Sequence, residues 1–439
     1  MNNKERIELA QWAAKIASKH GATATAIAIS RSRSVSVEVR EQKLETIRES
    51  TDNSLSLQVY RDNKYSGHST NNLNKNDLER FIREAVEATQ YLAADPDRML
   101  PDPSLYPTDL SEDLQVNDPQ QGTVTPEHRV AVAMQTEQLA REAGAEILSA
   151  SASFNDSFSE GIRLHSNGFE GTFASTSFST GASLTVMDNG SRPAGGFYAR
   201  SRFLQDLPAA EAVAQQAIFQ TLRQMGQSSI ASGQYTMLLE NRVAASLLGR
   251  IFQPMSARSI QQKNSFLLDM LGQQIGSDKL TIIDDPTIKG GFASRHFDGE
   301  GIAARKRTLI DKGVLQAYLI DNYYGRKLGM TPNGGSTSNI LMEYGARNQD
   351  QIVAATNKGI LVTSFNGGNS NPTTGDFSFG ISGQLIENGK IVRPVNEMNI
   401  SGNFKNLMHQ LIETGNDPNP YSSAKTPTLA FRDVDFAGL

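Results

Sequence analysis

The sequence predicts an α+β protein in which a duplicated helix-strands-helix amino-terminal region with antiparallel sheets precedes a β-rich carboxy-terminal domain. Two observations predict this class. The order helix, alternating strands, helix occurs twice before about Gly233, and glycine-rich turns separate short strands after it. Strands that follow one another in runs, without regular alternation with helices, are typical of α+β folds.

The first repeat is predicted over residues 1–100. Its opening helix is indicated by small and apolar residues at helical spacing, and the segments "SVSVEVRE" and "SLSLQVYRD" alternate as strands do. The segment "KNDLERFIREAVEATQYL" predicts a second helix with Asn76 and Asp77 as capping residues. The apolar stripe of the opening helix consists of Ile7, Ala10, Ala13, Ala14 and Ala17.

Residues 101–124 are rich in Pro and Asp and have no periodicity, which predicts a linker. The second repeat is predicted over residues 125–228. It has a helix at 125–144, strands that start at Glu146, and the closing helix "LPAAEAVAQQAIFQTLRQMG". Laying "VREQKLETIRESTDNSLSLQV" over "LHSNGFEGTFASTSFSTGASLTV" keeps the order of elements, so we interpret the region as an internal duplication.

The β-rich domain is predicted over residues 229–439. Within it, helices are expected only after Asn241 and in the segments 256–272 and 404–413. An Asn-Gly pair at 388–389 lies between two alternating runs and predicts a tight β-hairpin. The remaining loops are long, and long loops in a compact domain are often binding elements.

Composition excludes several classes of function. The net charge of -5 and the pI near 5.8 argue against direct binding of nucleic acid, because such domains are usually basic. The chain has no cysteine, which excludes disulfides and thiolate metal sites and suits a reducing compartment. The opening residues have no apolar run of signal-peptide type and no run approaches the roughly 18 apolar residues that a membrane span needs, so we expect neither feature. We therefore expect a cytoplasmic protein with no membrane contact.

Most catalytic motifs are missing from the sequence. The six histidines are far apart and form no HExxH pair, and no glycine-rich loop has the spacing of a phosphate-binding motif. A nucleophile-elbow serine is also missing. The acidic cluster of Asp298 and Glu300 beside His296 could bind a cation or a peptide amine, but an FDGEG run is equally typical of a turn that leads into a strand.

Three long motifs lie in this order near the carboxy terminus: "FDGEG" with "TLIDKGVLQAYLID", then "GDFSFGISGQLIENGKIVRPVNEMNISGN", then "GNDPNPYSSAKTPTLAFRDVDFAG". Together they resemble the TldD/PmbA family, long labelled modulators of DNA gyrase. The resemblance implies one of two paired branches. TldD is a zinc metallopeptidase with an HExxxH helix and a later cysteine ligand, whereas PmbA, also called TldE, lacks these residues.

The segment "LLENRVAASLLGRIFQP" resembles the strand and helix that carry HExxxH in TldD. Aligned without gaps, it has Gly249 at the first histidine, Arg250 at the glutamate and Pro254 at the second histidine. Glycine has no ligand, arginine cannot act as a general base, and proline is expected to remove an N–H from the helix. The loop that holds the cysteine ligand in TldD has Ser422 between Tyr421 and Ser423 here. The resemblance therefore implies the PmbA/TldE branch, with the zinc site vacated.

This resemblance implies a non-catalytic subunit of a heterodimeric zinc metallopeptidase, which helps bind and channel unfolded peptides. The implied partner is a TldD-type subunit that holds the zinc, so no cofactor is expected in this chain, and the isolated chain could form homodimers. The peptide-binding candidates lie near the vacated site in the alignment: His296, Asp298, Glu300 and Asp376, together with Arg250 and Ser422.

Two alternatives stay open. The chain could be a hydrolase that acts alone, through His296, Asp298 and Glu300 or through a site that the sequence does not reveal, since a shared fold does not fix function. It could instead be a binding protein that modulates DNA gyrase, as the family label suggests. The acidic charge argues against direct contact with DNA but leaves contact with a protein of that pathway open.

Overall fold

The computed structural model describes residues 1–142, 144 and 147–438. Three predicted features fall wholly or partly outside these residues. They are the end of the helix predicted at 125–144, the strand start predicted at Glu146 and the last residue of the predicted β-rich domain, Leu439. Within them, the α+β class, with antiparallel sheets and a β-rich carboxy-terminal region, is confirmed.

The first repeat has a helix at each end and three strands between them. Its opening helix is fixed by a capping box in which Asn2 and Glu5 exchange hydrogen bonds between side chain and backbone. The second helix starts at Lys75, as the predicted segment does, but its capping residue is Asn74, whose side chain accepts a hydrogen bond from the backbone of Asn76, and not Asn76 or Asp77. The elements are α1 (Asn3–Lys19), β1 (Ala24–Arg40), β2 (Lys43–Arg61), β3 (Lys64–Thr70) and α2 (Lys75–Thr89).

The second repeat has the same order of elements. They are α3 (Pro126–Arg141), β4 (Ile147–His165), β5 (Glu170–Val186), β6 (Ala194–Ser201) and α4 (Ala210–Leu222). Strands β1 and β4 pair antiparallel from Ala26 opposite His165 to Arg40 opposite Ser151. The two repeats therefore form one six-stranded antiparallel sheet, in the order β3-β2-β1-β4-β5-β6, with the second half mirroring the first.

Both helix pairs cover the same face of this sheet. Ile27 and Ile29 of β1 pack in a buried cluster with α1 and α2, whereas Val37 and Val39 of the same strand pack with α3. These four residues are separated by even numbers of positions, so their side chains point to one face. None of the four helices described for the two repeats packs on the opposite face.

The segment predicted as a linker is irregular but packed. It contains two short 3-10 turns, Pro103–Leu105 and Gln121–Thr123. The hydroxyl of Tyr106 lies 3.0 Å from Nδ1 of His165, and its ring packs on Phe169, which in turn contacts Phe297 of the last domain. The segment therefore joins the amino-terminal sheet to the carboxy-terminal domain.

The carboxy-terminal domain contains two sheets. Its helices are α5 (Asn241–Phe252), α6 (Ala257–Gln261), α7 (Asn322–Leu328), α8 (Gln349–Ala355) and α9 (Phe404–His409). Its strands are β7 (Gly233–Leu239), β8 (Ile282–Asp285), β9 (Arg307–Asp311), β10 (Val314–Leu315), β11 (Asn339–Met342), β12 (Lys358–Ser370), β13 (Asp376–Glu387), β14 (Lys390–Asn403), β15 (Leu411–Thr414), β16 (Ala424–Lys425) and β17 (Leu429–Ala437).

One sheet has the order β14-β13-β12-β7-β17-β15 and the other has the order β10-β9-β8-β11-β16. A large apolar core lies between them and includes one face of α5, so this helix is held between the sheets. The predicted hairpin is confirmed, because Asn388 and Gly389 join β13 to β14 with φ of 50° and 76°, as a type I′ turn requires.

Three details of the helix prediction for this domain were wrong. The segment 256–272 is helical only over α6, and the segment 404–413 ends its helix at His409 and continues as β15. Lys263 and Asp269 have φ of 55° and 59°, which breaks the first segment into turns. Helices α7 and α8 were not predicted, because each has only seven residues and shows little periodicity.

Candidate functional site

Helix α5 carries two of the vacated positions near its carboxy-terminal end. Leu247, Leu248 and Ile251 face the core, while Gly249 and Arg250 lie on the exposed side. Apart from its chain neighbours and the backbone of its own helix, a Cβ at Gly249 would meet no atom of the described residues within 4 Å. Pro254 lies two residues beyond the end of the helix and is buried, so it removes no hydrogen bond from the helix.

The loop that contains Ser422 is fastened to the start of α5. The side-chain amide of Asn241 donates to the carbonyl of Asp417 at 2.7 Å, and the hydroxyl of Thr426 donates to the carbonyl of Asn241 at 3.0 Å. The hydroxyl of Ser422 accepts a hydrogen bond from the Ala424 backbone at 3.1 Å, within the loop itself. The fold thus brings this loop beside the start of α5.

An open cleft of about 600 Å³ lies where α5 meets strand β6 and helix α4 of the second repeat. Sites for small molecules and peptides commonly have about 300–1,000 Å³. The name arginine cleft is used below for this cavity, whose main side chains are Arg223, Arg242, Arg250, Tyr198, Phe379 and Tyr421.

The charges in the arginine cleft are unbalanced. Arg223 donates from Nη1 and Nη2 to both oxygens of Glu240, at 3.0 and 2.9 Å. Within the part of the chain that the structure describes, Glu240 is the single carboxylate that lines the cleft, and neither Arg242 nor Arg250 has a carboxylate within 4.0 Å. Two guanidinium charges therefore face the cleft without a paired anion.

Aromatic rings hold these two guanidinium groups. Arg242 lies over the rings of Phe197 and Tyr198, at 4.9 and 6.0 Å from the centroids, and Arg250 lies 5.6 Å from the centroid of Phe379. Such cation-π contacts orient a guanidinium but leave its N–H groups free to donate. Burial lowers the pKa of Arg242 from its ordinary value, because the charged group has lost water.

Zinc, the metal that the family resemblance implies for TldD, does not fit the arginine cleft. Zinc takes ligands from Cys, His, Asp and Glu, usually at least three from the protein. Of these ligand types, the described lining of the cleft offers Glu240 alone, and Arg223 engages both oxygens of that carboxylate. Among the described residues, no group of three or more such side chains could hold a metal ion.

His296 and Asp298 lie together on a second cavity of about 480 Å³. The carboxylate of Asp298 is buried and accepts hydrogen bonds from the backbone of Glu300 at 2.8 Å and of Ile302 at 3.0 Å. Burial raises the pKa of Asp298, and these hydrogen bonds oppose that rise. Asp298 thus closes the FDGEG turn, and His296 is the more exposed of the two.

Glu300 lies at the junction between domains. Its carboxylate accepts a hydrogen bond from the backbone of Asn322 at 2.9 Å, and the Asn322 side chain donates to the carbonyl of Met99 at 2.7 Å. Burial raises the pKa of Glu300 to about 7, and the neighbouring carboxylates of Asp298 and Asp321 add to the rise. These contacts join helix α7 to the segment that precedes the predicted linker.

Asp376 lies apart from the other peptide-binding candidates. It is exposed at the start of β13, where it accepts hydrogen bonds from Thr374 at 2.6 Å and from the Asn403 side chain at 2.8 Å. These two hydrogen bonds hold the pKa of Asp376 below its ordinary value. Of the named candidates, only Arg250 lines the arginine cleft, and His296, Asp298, Glu300 and Asp376 lie elsewhere.

Sequence reasoning missed Arg223, Glu240 and Arg242. One signal was available, because Arg242, Ser246 and Arg250 are spaced four residues apart and therefore share one face of α5. That face lines the cleft. Arg223 and the aromatic residues come from other elements, so their place in the cleft depends on the tertiary fold.

Three family models together match most of the chain. The PmbA/TldA metallopeptidase domain 1 matches residues 26–89, the central domain of that family matches residues 119–225, and its C-terminal domain matches residues 232–438. The metalloprotease PmbA of Escherichia coli is 28% identical over 402 residues, which cover 91% of this chain and 89% of that protein.

Solved structures match along the whole length. A protein of Bacteroides thetaiotaomicron, described as a candidate modulator of DNA gyrase, is 40% identical, with a TM-score of 0.97 and all of both chains covered. TldE of Thermococcus kodakarensis is 19% identical, with a TM-score of 0.87, and the match covers 98% of this chain and 100% of that one. The second likeness shows the shared fold.

Proposed function

This chain belongs to the PmbA/TldD metallopeptidase family, and from that membership we propose that it is a non-catalytic subunit of a heterodimeric zinc metallopeptidase. The observation that carries the proposal is the donor set around α5. Glycine and arginine occupy the exposed positions 249 and 250, and the cleft beside them holds one carboxylate that is already paired. In this proposal the zinc belongs to a TldD-type partner, where it supplies the activation of water.

The proposed role of this subunit is to bind and channel unfolded peptides towards the partner. The arginine cleft supports that role because it combines aromatic walls with cationic groups, and both can hold an extended polypeptide without demanding one sequence. The complex would act in the cytoplasm and without direct contact with nucleic acid, in keeping with the acidic composition. The isolated chain would form homodimers through the surface that otherwise meets the partner.

Mixing of the two purified subunits, followed by a peptidase assay, tests this proposal. The chain and a TldD-type subunit of the same host are purified separately, their zinc content is measured by mass spectrometry, and each is incubated with casein alone or mixed with the other. We expect casein cleavage only by the mixture, together with a one-to-one complex in native mass spectrometry. A matched mixture whose TldD-type subunit has Gln in place of the HExxxH glutamate should cleave nothing.

Two results would contradict the proposal. Full activity of the TldD-type subunit without this chain would remove the need for a second subunit. Turnover by the isolated chain, lost in Asp298→Ala, would favour instead a hydrolase that acts alone, with His296 and Asp298 on their shared cavity.

A second candidate function is contact with DNA gyrase. The observation that favours it is the description of the Bacteroides thetaiotaomicron protein, which shares 40% identity over the whole chain. A pull-down with tagged chain, probed for both gyrase subunits in the presence of nuclease, tests whether the contact is made through protein. Absence of both subunits would remove this candidate.

A further inference from the structure

The arginine cleft has the features of a built anion site. Arg242 and Arg250 project from one face of α5, eight residues apart, so they lie about two helical turns from one another on the same wall. Neither side chain makes a hydrogen bond to another described residue, so both guanidinium groups keep their full set of N–H donors.

Arg242 carries a positive charge that is partly removed from water. Its guanidinium is partly buried against Phe197 and Tyr198, and a buried charge costs free energy unless it is paired. Glu240 lies nearby, but both of its oxygens are engaged by Arg223, so it cannot also form a two-point pair with Arg242. An anion from outside the chain would supply the missing partner.

The remaining walls favour an organic anion. Phe365 and Phe379 pack on each other at 5.3 Å between centroids, and Tyr421 closes another side against Phe197 at 5.6 Å. Aromatic faces beside a cationic centre suit a ligand that has an apolar part attached to its charged group. Inorganic phosphate would satisfy the charge but leave these rings without a contact.

We propose that the arginine cleft binds a carboxylate of a polypeptide between Arg242 and Arg250, with a neighbouring apolar side chain against Phe365 and Phe379. Carboxylates form two-point hydrogen bonds with guanidinium groups, which fixes the orientation of the bound group as well as its affinity. The carboxylate is either that of the chain terminus or that of an Asp or Glu side chain. The choice of polypeptide as ligand rests on the proposed function.

Fluorescence anisotropy with labelled hexapeptides tests this site on the isolated chain. One peptide ends in Phe with a free carboxylate, the second is its C-terminal amide, and the third is an amide with an internal Glu before Phe. We expect the free acid to bind about tenfold more tightly than the plain amide, the size of effect of losing hydrogen bonds to a charged group. Equally tight binding of the third peptide shows that the site also accepts a side-chain carboxylate, and weak binding restricts the site to the carboxylate of the chain terminus.

Substitutions locate the binding on the chain. Arg242→Gln and Arg250→Gln should each weaken binding of the free acid about tenfold and leave binding of the plain amide unchanged. The matched control is Arg83→Gln, an exposed arginine of α2 outside the cleft, which should change neither affinity. Arg250 is exposed, so its variant retains the fold even if the Arg242 variant does not.

Equal affinity for the acid and the plain amide, or no effect of Arg250→Gln, overturns the assignment. Because these measurements use neither a partner nor hydrolysis, they fail independently of the proposed function. Carboxylate-dependent binding without activation of a TldD-type subunit would keep the site and reject the complex. Activation without carboxylate dependence would keep the complex and reject the site.

Discussion

Both oxygens of the Glu240 carboxylate accept hydrogen bonds from Arg223, at 3.0 and 2.9 Å. Arg223 follows the last helix of the second repeat, and Glu240 immediately precedes α5 in the carboxy-terminal domain. Their side chains are 11% and 9% exposed, so the pair is largely removed from water. It therefore joins two domains and at the same time neutralises one of the three arginines in the cleft.

Replacing Glu240 by Gln should lower stability and raise anion affinity together. The variant keeps the shape of the side chain but leaves Arg223 charged and poorly paired, which we expect to cost about 3 kcal/mol of unfolding free energy. The freed charge faces the arginine cleft, so affinity for a carboxylated peptide should rise about fivefold at low salt. Urea unfolding and peptide anisotropy measure the two effects.

The control for Glu240→Gln is Glu413→Gln, which breaks the pair of Glu413 with Arg347. Arg347 is 42% exposed, so the loss should stay below about 1 kcal/mol. Peptide affinity should not change, since neither residue lines the cleft. A Glu240 variant as stable as this control would show that the interdomain pair contributes little.

The parts of the fold that the sequence predicted depend on local signals. Asn388 and Gly389 adopt the turn that their backbone preferences require, and α5 follows from its apolar spacing. The fusion of the two repeats into one sheet was not predictable in this way. It depends on pairing β1 with β4, whose residues are more than a hundred positions apart in the chain.

The candidate site likewise has some features that the sequence predicted and others that depend on the tertiary fold. The loss of metal ligands at Gly249, Arg250 and Pro254 was predictable from a motif, since it concerns which residue types are present. The arginine cleft was not, because Arg223 reaches it from another domain and the rings around Arg242 come from strand β6. Ionic and aromatic partners of this kind are set by the tertiary fold.

Gly249→Ala should stabilise the protein by about 1 kcal/mol. Gly249 lies on the exposed side of α5, its Cβ would meet no atom within 4 Å, and alanine costs less backbone entropy in a helix. Gly161→Ala is the contrasting control, since its Cβ would lie 2.6 Å from the carbonyl oxygen of Ile29 and should cost about 2 kcal/mol. The midpoints of urea unfolding give both values, and a loss at Gly249 would contradict the open surroundings described for it.

Glu300 should make the protein less stable as pH rises from about 4.3 to 7. Its carboxyl ionises near 4.3 in the unfolded chain but, because of burial, has a pKa of about 7 in the fold. The folded state thus binds the extra proton in this window, so stability is greatest below it and falls by about 4 kcal/mol across it. Glu300→Gln should remove this fall, as measured by unfolding at several pH values. If stability depends on pH in the same way in the wild type and in Glu300→Gln, the raised pKa of the Glu300 carboxyl is contradicted.

His165 should make the protein less stable as pH falls, which is the opposite of the effect of Glu300. The pH ranges of the two effects overlap. Burial lowers the pKa of His165 to about 3, with the charge of Arg163 adding to the decrease, and its Nε2 atom is buried without a hydrogen-bond partner among the described residues. As pH falls below 6.5, the imidazole of the unfolded chain becomes protonated while that of the folded chain stays neutral. The free energy of unfolding therefore decreases from pH 6.5 towards pH 3, by about 5 kcal/mol in total.

The two contributions cancel in part between about pH 4.5 and 6.5, so the wild-type curve alone cannot separate them. His165→Gln cannot take up the proton, and we expect its stability to fall less steeply below pH 6.5 than that of the wild type. It should also be less stable at pH 8, because the hydrogen bond of His165 to Tyr106 and the packing on Phe169 are disturbed. The measurement is therefore the difference in unfolding free energy between the wild type and His165→Gln, taken at pH 8 and at pH 4. We expect this difference to change between the two pH values. A constant difference would mean that His165 is already protonated in the fold at acidic pH.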